Sequence, residues 1–98
     1  MSNVVTVCDE KKRSGGKIVK VCVRICGDLI KGIMISGDFF VDPAENFEEL
    51  LEELADMEVK KDEAITLVTK LLKNKKLDFS GISIEDITEV LSRILHHE

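Results

Sequence analysis

Across residues 17–26 every second position is aliphatic: Val19, Val21, Val23 and Ile25 fall on one face of an extended chain, with Lys20 and Arg24 on the other. This alternation predicts a strand buried on one side. Gly27-Asp28 suits a tight turn, and residues 29–36 predict the return strand of a hairpin, with Ile30 and Met34 on the Val21 face. A two-residue turn would set Arg24 directly opposite Lys31, a like-charge pair that argues for a slightly different register. Residues 3–8, rich in Val and Thr, are expected to add a third strand, because an isolated hairpin is marginal in water. Between that segment and the hairpin, the charged and glycine-bearing run DEKKRSGG (9–16) is expected to be a mobile loop.

Near residue 41 the hydrophobic period changes from two to between three and four. Asp42, Pro43 and Glu45 read as cap, first helical residue and capping box of a helix whose apolar stripe is Phe47, Leu50, Leu51 and Leu54. Glu45, Glu48, Glu49, Glu52, Glu53 and Asp56 make its remaining surface strongly negative. A second helix is predicted over 62–73, with Ile65, Val68, Leu71 and Leu72 inward and Lys70 and Lys73 at the negative end of the helix dipole. A third starts at Ser83, with Asp86 in the capping-box position and an Ile82–Ile87 staple, and runs on through Val90, Leu91, Ile94 and Leu95. The fold class is therefore α+β: a small antiparallel sheet of two or three strands covered by about three helices. Residues 1–98 form one domain, divided into an N-terminal strand and loop (1–16), a hairpin (17–41) and a helical part (42–98).

Composition narrows the function. Four Phe without Trp or Tyr offer little surface for stacking bases, and 19 acidic against 14 basic residues give a net charge of −5. A nucleic acid or an anionic membrane is disfavoured as a ligand, and a basic protein surface is favoured. No apolar run reaches the roughly 18 residues of a membrane span, and the first residues lack the pattern of a secretory signal. The expectation is a cytoplasmic protein. Cys8, Cys22 and Cys26 are an odd count, which leaves at least one thiol unpaired and makes disulfide scaffolding an improbable expectation in a reducing compartment.

The residues that bear chemistry do not converge. Cys22 and Cys26 lie four apart on one strand, about 13 Å by the strand rise, too far to share a metal; Cys8 with Cys26, and His96 and His97, are the remaining combinations. No metal site and no catalytic residue is assigned. The RSGG run at residues 13–16 lacks the strand-loop-helix setting and the Lys-Ser/Thr of a phosphate loop. The adjacent Phe39 and Phe40 follow the strand-breaking Gly37-Asp38, and neighbouring side chains on extended backbone point to opposite sides. One ring is expected inward and the other free to anchor a protein interface.

Gly-Lys-Ile-Val-Lys (16–20), the hairpin through Gly27, Ile-Ser-Gly-Asp-Phe-Phe (35–40), Asp42-Pro43 and the acidic Leu-rich helix together resemble the accessory domain of lipoate-protein ligases, over residues 16–95. In archaeal two-subunit ligases that module is a separate small protein, which a chain of this length is similar to. The resemblance implies a fold related to sulfur-transfer and iron–sulfur scaffold proteins. It also implies a non-catalytic subunit that forms a heterodimer with the catalytic subunit of the ligase. The complex uses ATP with Mg and lipoate to make lipoyl-AMP, then modifies a lysine of a lipoyl acceptor domain. Gly37, Asp38, Phe39 and Phe40 match the family motif and are the interface candidates, with Lys17 beside them. The likeness of RSGG to the family's lipoate loop is superficial, since that loop belongs to the catalytic domain. The alternative from another class is a sulfur-transfer or iron–sulfur cluster scaffold. A lipoyl acceptor would need a lysine at a hairpin tip, where this chain has Gly27-Asp28.

Overall fold

The computed structural model describes residues 3–96. Its elements are β1 (Val5–Lys12), β2 (Ile18–Cys26), β3 (Leu29–Asp38), β4 (Phe40–Asp42), α1 (Ala44–Ala55), β5 (Val59–Lys60), α2 (Lys61–Asn74), β6 (Asp78–Ser80) and α3 (Ile84–His96), with a 3-10 turn at Ser14–Gly16. The α+β class is as expected from the sequence, with more strand. The main antiparallel sheet has the order β1-β2-β3-β5, and β4 and β6 form a separate two-stranded ribbon.

The alternation in β2 does what it predicts: Val19, Val21 and Val23 are fully buried. They meet Leu50 and Leu54 of α1, Ala64, Val68 and Leu72 of α2, and Ile87, Val90, Leu91, Ile94 and Leu95 of α3 in one core. The stripe predicted for α3 is buried, whereas Phe47 and Leu51 of α1 and Ile65 and Leu71 of α2 are half-buried at the edge of the core and Ala64 takes an inner position in α2; the other sheet face stays open, as an antiparallel sheet allows.

Three strand-level expectations are corrected. The first concerns the hairpin, which turns at Gly27-Asp28 and pairs Cys26 with Leu29 and Ile25 with Ile30, after which the register shifts and Arg24 faces Gly32. Lys31 is the extra residue of a β-bulge, so Arg24 and Lys31 never stand opposite one another. One added residue reverses the in-out alternation beyond it. Ile33 and Ile35 therefore point into the core and Met34, expected inward, is 65% exposed. The second correction concerns residues 9–16, because β1 pairs residue for residue with β2 from Val5↔Ile25 to Lys12↔Ile18. Asp9–Lys12 are thus strand, and only the RSGG end forms a turn. Third, Asp42 lies in β4 opposite Asp78, so Pro43 stands at the N-cap of α1 and no side chain caps that helix.

The β1–β2 register also overturns the expectation of free thiols. It sets Cys8 directly across from Cys22, Cα atoms 4.1 Å apart, and the two are joined as a disulfide, leaving Cys26 free. The sequence comparison of Cys8 with Cys26 pairs the wrong residues, because the partner of Cys8 depends on a register that no local pattern sets.

At the start of α3 the capping box forms in both directions. The Ser83 amide donates to Asp86 Oδ2 at 2.9 Å, and the Asp86 amide donates to Ser83 Oγ at 3.2 Å.

Candidate partner interface

Phe39 and Phe40 separate as their alternation requires. Phe39 turns inward and meets Phe47 of α1 at 5.9 Å between ring centroids and Phe79 of β6 at 6.0 Å, with Phe47 and Phe79 edge to face at 6.0 Å. Phe40 turns outward and is 69% exposed. The ring cluster fastens the ribbon to α1, so the direction of Phe40 is set by the packing of its neighbour.

The other candidates gather at the same end of the molecule in different roles. Gly37 has φ +144°, and a Cβ there would stand 2.1 Å from the Ile18 carbonyl oxygen; its bare backbone is what lets β3 lie against β2 just before the ribbon. Asp38 closes β3 opposite Ile18 and is exposed. The Lys17 stem lies along Gly81, whose missing Cβ leaves room for it, and carries Nζ to 4.9 Å from the Phe40 ring centroid. The half-buried Lys17 and the exposed Phe40 thus share one surface, Asp38 is exposed at the end of β3, and Phe39 packs inward beside them.

Sequence reasoning passed over the second strand of the ribbon. Asp78, Phe79 and Ser80 pair with Asp42, Val41 and Phe40 respectively. The signal was the short alternation Leu77-Asp78-Phe79-Ser80, too brief to separate from a loop without its partner strand.

The remaining charge clusters are structural. Asp86, only 2% exposed, accepts Lys11 Nζ at 2.8 Å and Arg13 Nη1 at 3.0 Å. Burial pushes its carboxyl up. The hydrogen bonds from Lys11 and the Ser83 amide, with the charges of Lys11 and Arg13, outweigh that and hold it below the ordinary value. Asp86 and Glu89 in turn raise the Lys11 ammonium. This knot ties β1 and the RSGG turn to α3. On the acidic helix, Glu49 and Glu53 both bind Lys75 beyond α2, while Glu48 and Glu52 remain in water.

Among the described residues no three His, Cys, Asp or Glu side chains are grouped to hold a metal ion; His97 lies outside them. Gly15 and Gly16 of the RSGG turn lead into β2 and not into a helix. A groove of about 470 Å³ lies between β1 and α3 and is lined by Val7, Cys8, Asp9, Arg93, Ile94 and His96. No helix of the described residues is long and apolar enough to cross a membrane.

No family model and no curated protein sequence matches the chain. A solved structure does match its fold: a chain from an archaeal lipoylation system of Thermoplasma acidophilum, described as a bi-partite lipoate protein ligase and its E2 lipoyl domain. The superposition has a TM-score of 0.65 at 21% identity and covers 93% of this chain and 97% of that one. At this identity the likeness is one of fold, and it extends over nearly the whole of both chains.

Proposed function

We propose that this chain is the non-catalytic accessory subunit of a two-component lipoate-protein ligase, acting docked to the catalytic subunit in the cytoplasm. The observation that carries the reading is the fold match over nearly the full length of both chains to a component of a bi-partite ligase system. The resemblance of residues 35–40 and of Asp42-Pro43 to the accessory-domain motif supports it independently. ATP with its Mg and lipoate belong, on this reading, to the catalytic subunit. The accessory subunit contributes by closing over the partner's site, ordering its loops and excluding water, so that the reacting groups are held together in a drier cavity.

The sulfur-transfer or iron–sulfur alternative is not favoured. Cys8 and Cys22 are consumed in a disulfide, which leaves Cys26 without a second thiolate for a cluster. The lipoyl-acceptor reading finds no lysine at the Gly27-Asp28 tip.

The test is lipoate-dependent exchange of pyrophosphate into ATP, with the purified chain, the large subunit of a bi-partite lipoate-protein ligase, and their mixture. The chain alone is expected to be inactive and the mixture to form lipoyl-AMP. Full activity of the large subunit by itself would reject the proposal.

A further inference from the structure

Strand alternation in the β4–β6 ribbon sends Val41 and Phe79 to the inner side and Phe40, Asp42, Asp78 and Ser80 outward, all four of them exposed. That outward face carries two unfavourable features side by side. Phe40 leaves most of its ring in water, with Lys17 over one side. Asp42 and Asp78 stand directly opposite one another, and among the described residues neither is joined to a cation.

Like charges directly opposite weaken a strand pair, and a ribbon of three residue pairs has little pairing to set against them. Within the fold Lys17 shields one side of the Phe40 ring, and among the described residues no cation is joined to the carboxylate pair. A protein surface with an apolar socket beside an arginine relieves both: the ring enters the socket, and one planar guanidinium spans the two carboxylates with paired hydrogen bonds. A lysine would meet them as a point charge and fit less well. The negative charge of the chain favours the same basic partner.

We propose that the outward face of the β4–β6 ribbon is the surface on which the larger subunit docks, Phe40 entering an apolar socket and Asp42 with Asp78 gripping an arginine at its rim. The proposal rests on the accessory-subunit reading and adds the residues and chemistry of the contact. Its signature is an opposition between stability and binding. Removing one carboxylate makes the free chain more stable and the complex weaker.

The experiment titrates the full chain against the large subunit of a bi-partite lipoate-protein ligase by calorimetry, alongside thermal melts of the free chain. Phe40→Ala is expected to fold normally and raise Kd about 30-fold, as loss of a central aromatic anchor does. Asp78→Asn is expected to raise Tm while raising Kd about tenfold. Glu63→Gln, which removes one charge from the exposed side of α2, serves as the control and is expected to leave Kd within about twofold. Wild-type binding with all three variants equally tight would overturn the ribbon proposal and leave the subunit reading standing. An Asp78→Asn chain with lowered Tm would also overturn it, since the pair would then be stabilising. Absence of wild-type binding would overturn both.

Discussion

At the scale of single residues, Asp86 shows how a buried charge is retained. Its carboxylate is taken out of water beneath α3 yet accepts the Ser83 amide, Lys11 and Arg13, so ionisation is favoured in the folded chain. A carboxyl whose folded value lies below its ordinary 3.8 contributes stability that is complete above 3.8 and is lost as the pH falls through the lower folded value. Asp86→Asn is therefore expected to destabilise the chain at pH 7 by about 1–2 kcal/mol, in the range of hydrogen bonds to a charged group with partly solvated partners. The difference from wild type is expected to shrink below pH 3.8. Urea unfolding of both proteins across pH 2.5–7 checks it, and a difference that stays constant with pH would show that the charge is not what matters. Gly32 is a second residue whose effect depends on its setting. A Cβ there would meet the Ala55 carbonyl at 2.5 Å and the Arg24 guanidinium at 2.9 Å. Its absence lets Arg24 cross β3 and donate to Lys31 O at 2.8 Å and to Ala55 O at 3.3 Å, a cation at the negative end of α1.

At the scale of elements, the hairpin strands are joined to β1 both by register and by a covalent bond. Cys8 and Cys22 are 14 residues apart in sequence, and a cross-link closing a loop of that size removes enough freedom from the unfolded chain to contribute about 3 kcal/mol. Cys8→Ser with Cys22→Ser, or reductant on the wild type, is expected to lower the urea midpoint accordingly, while Cys26→Ser leaves it unchanged. Equal midpoints for oxidised and reduced protein would count against a structural role. The same strands show what a sequence reader can see. The valines of β2, the apolar stripes of the helices and the Ser83–Asp86 box were legible because each is a pattern within a few consecutive residues. The bulge at Lys31 left only a hint, the predicted clash of Arg24 with Lys31, and its consequence, the outward Met34, required knowing which residue was extra. The Cys8–Cys22 bond and the β4–β6 ribbon were illegible because each pairs segments whose register is set by the assembled sheet or by the aromatic cluster. Of the outward ribbon residues only Phe40 was therefore visible as an interface candidate; Asp42 read as a helix cap, and Asp78 and Ser80 were not seen.

At the scale of the whole molecule, the charge distribution separates how fast a partner is met from how long it is held. Glu48 and Glu52 of α1 are exposed to water, and α1 follows directly on β4 in the chain. Charges outside a contact act mainly through long-range attraction before docking, and their effect fades as salt shortens the screening length from about 30 Å at 0.01 M to about 3 Å at 1 M. A buried anchor acts after docking, by setting the escape rate. Glu48→Gln with Glu52→Gln is accordingly expected to slow association with a basic large subunit severalfold at 0.01 M salt, to leave dissociation unchanged, and to become indistinguishable from wild type at 1 M. Phe40→Ala is expected to do the reverse, accelerating dissociation at every salt concentration with little change in association. Stopped-flow mixing at the two salt concentrations reads both rates. If the α1 substitutions altered dissociation, the helix would belong to the contact itself and the docking face would be larger than the ribbon; if they altered neither rate, steering would owe nothing to this helix and the short-range groups of the ribbon would have to account for recognition alone.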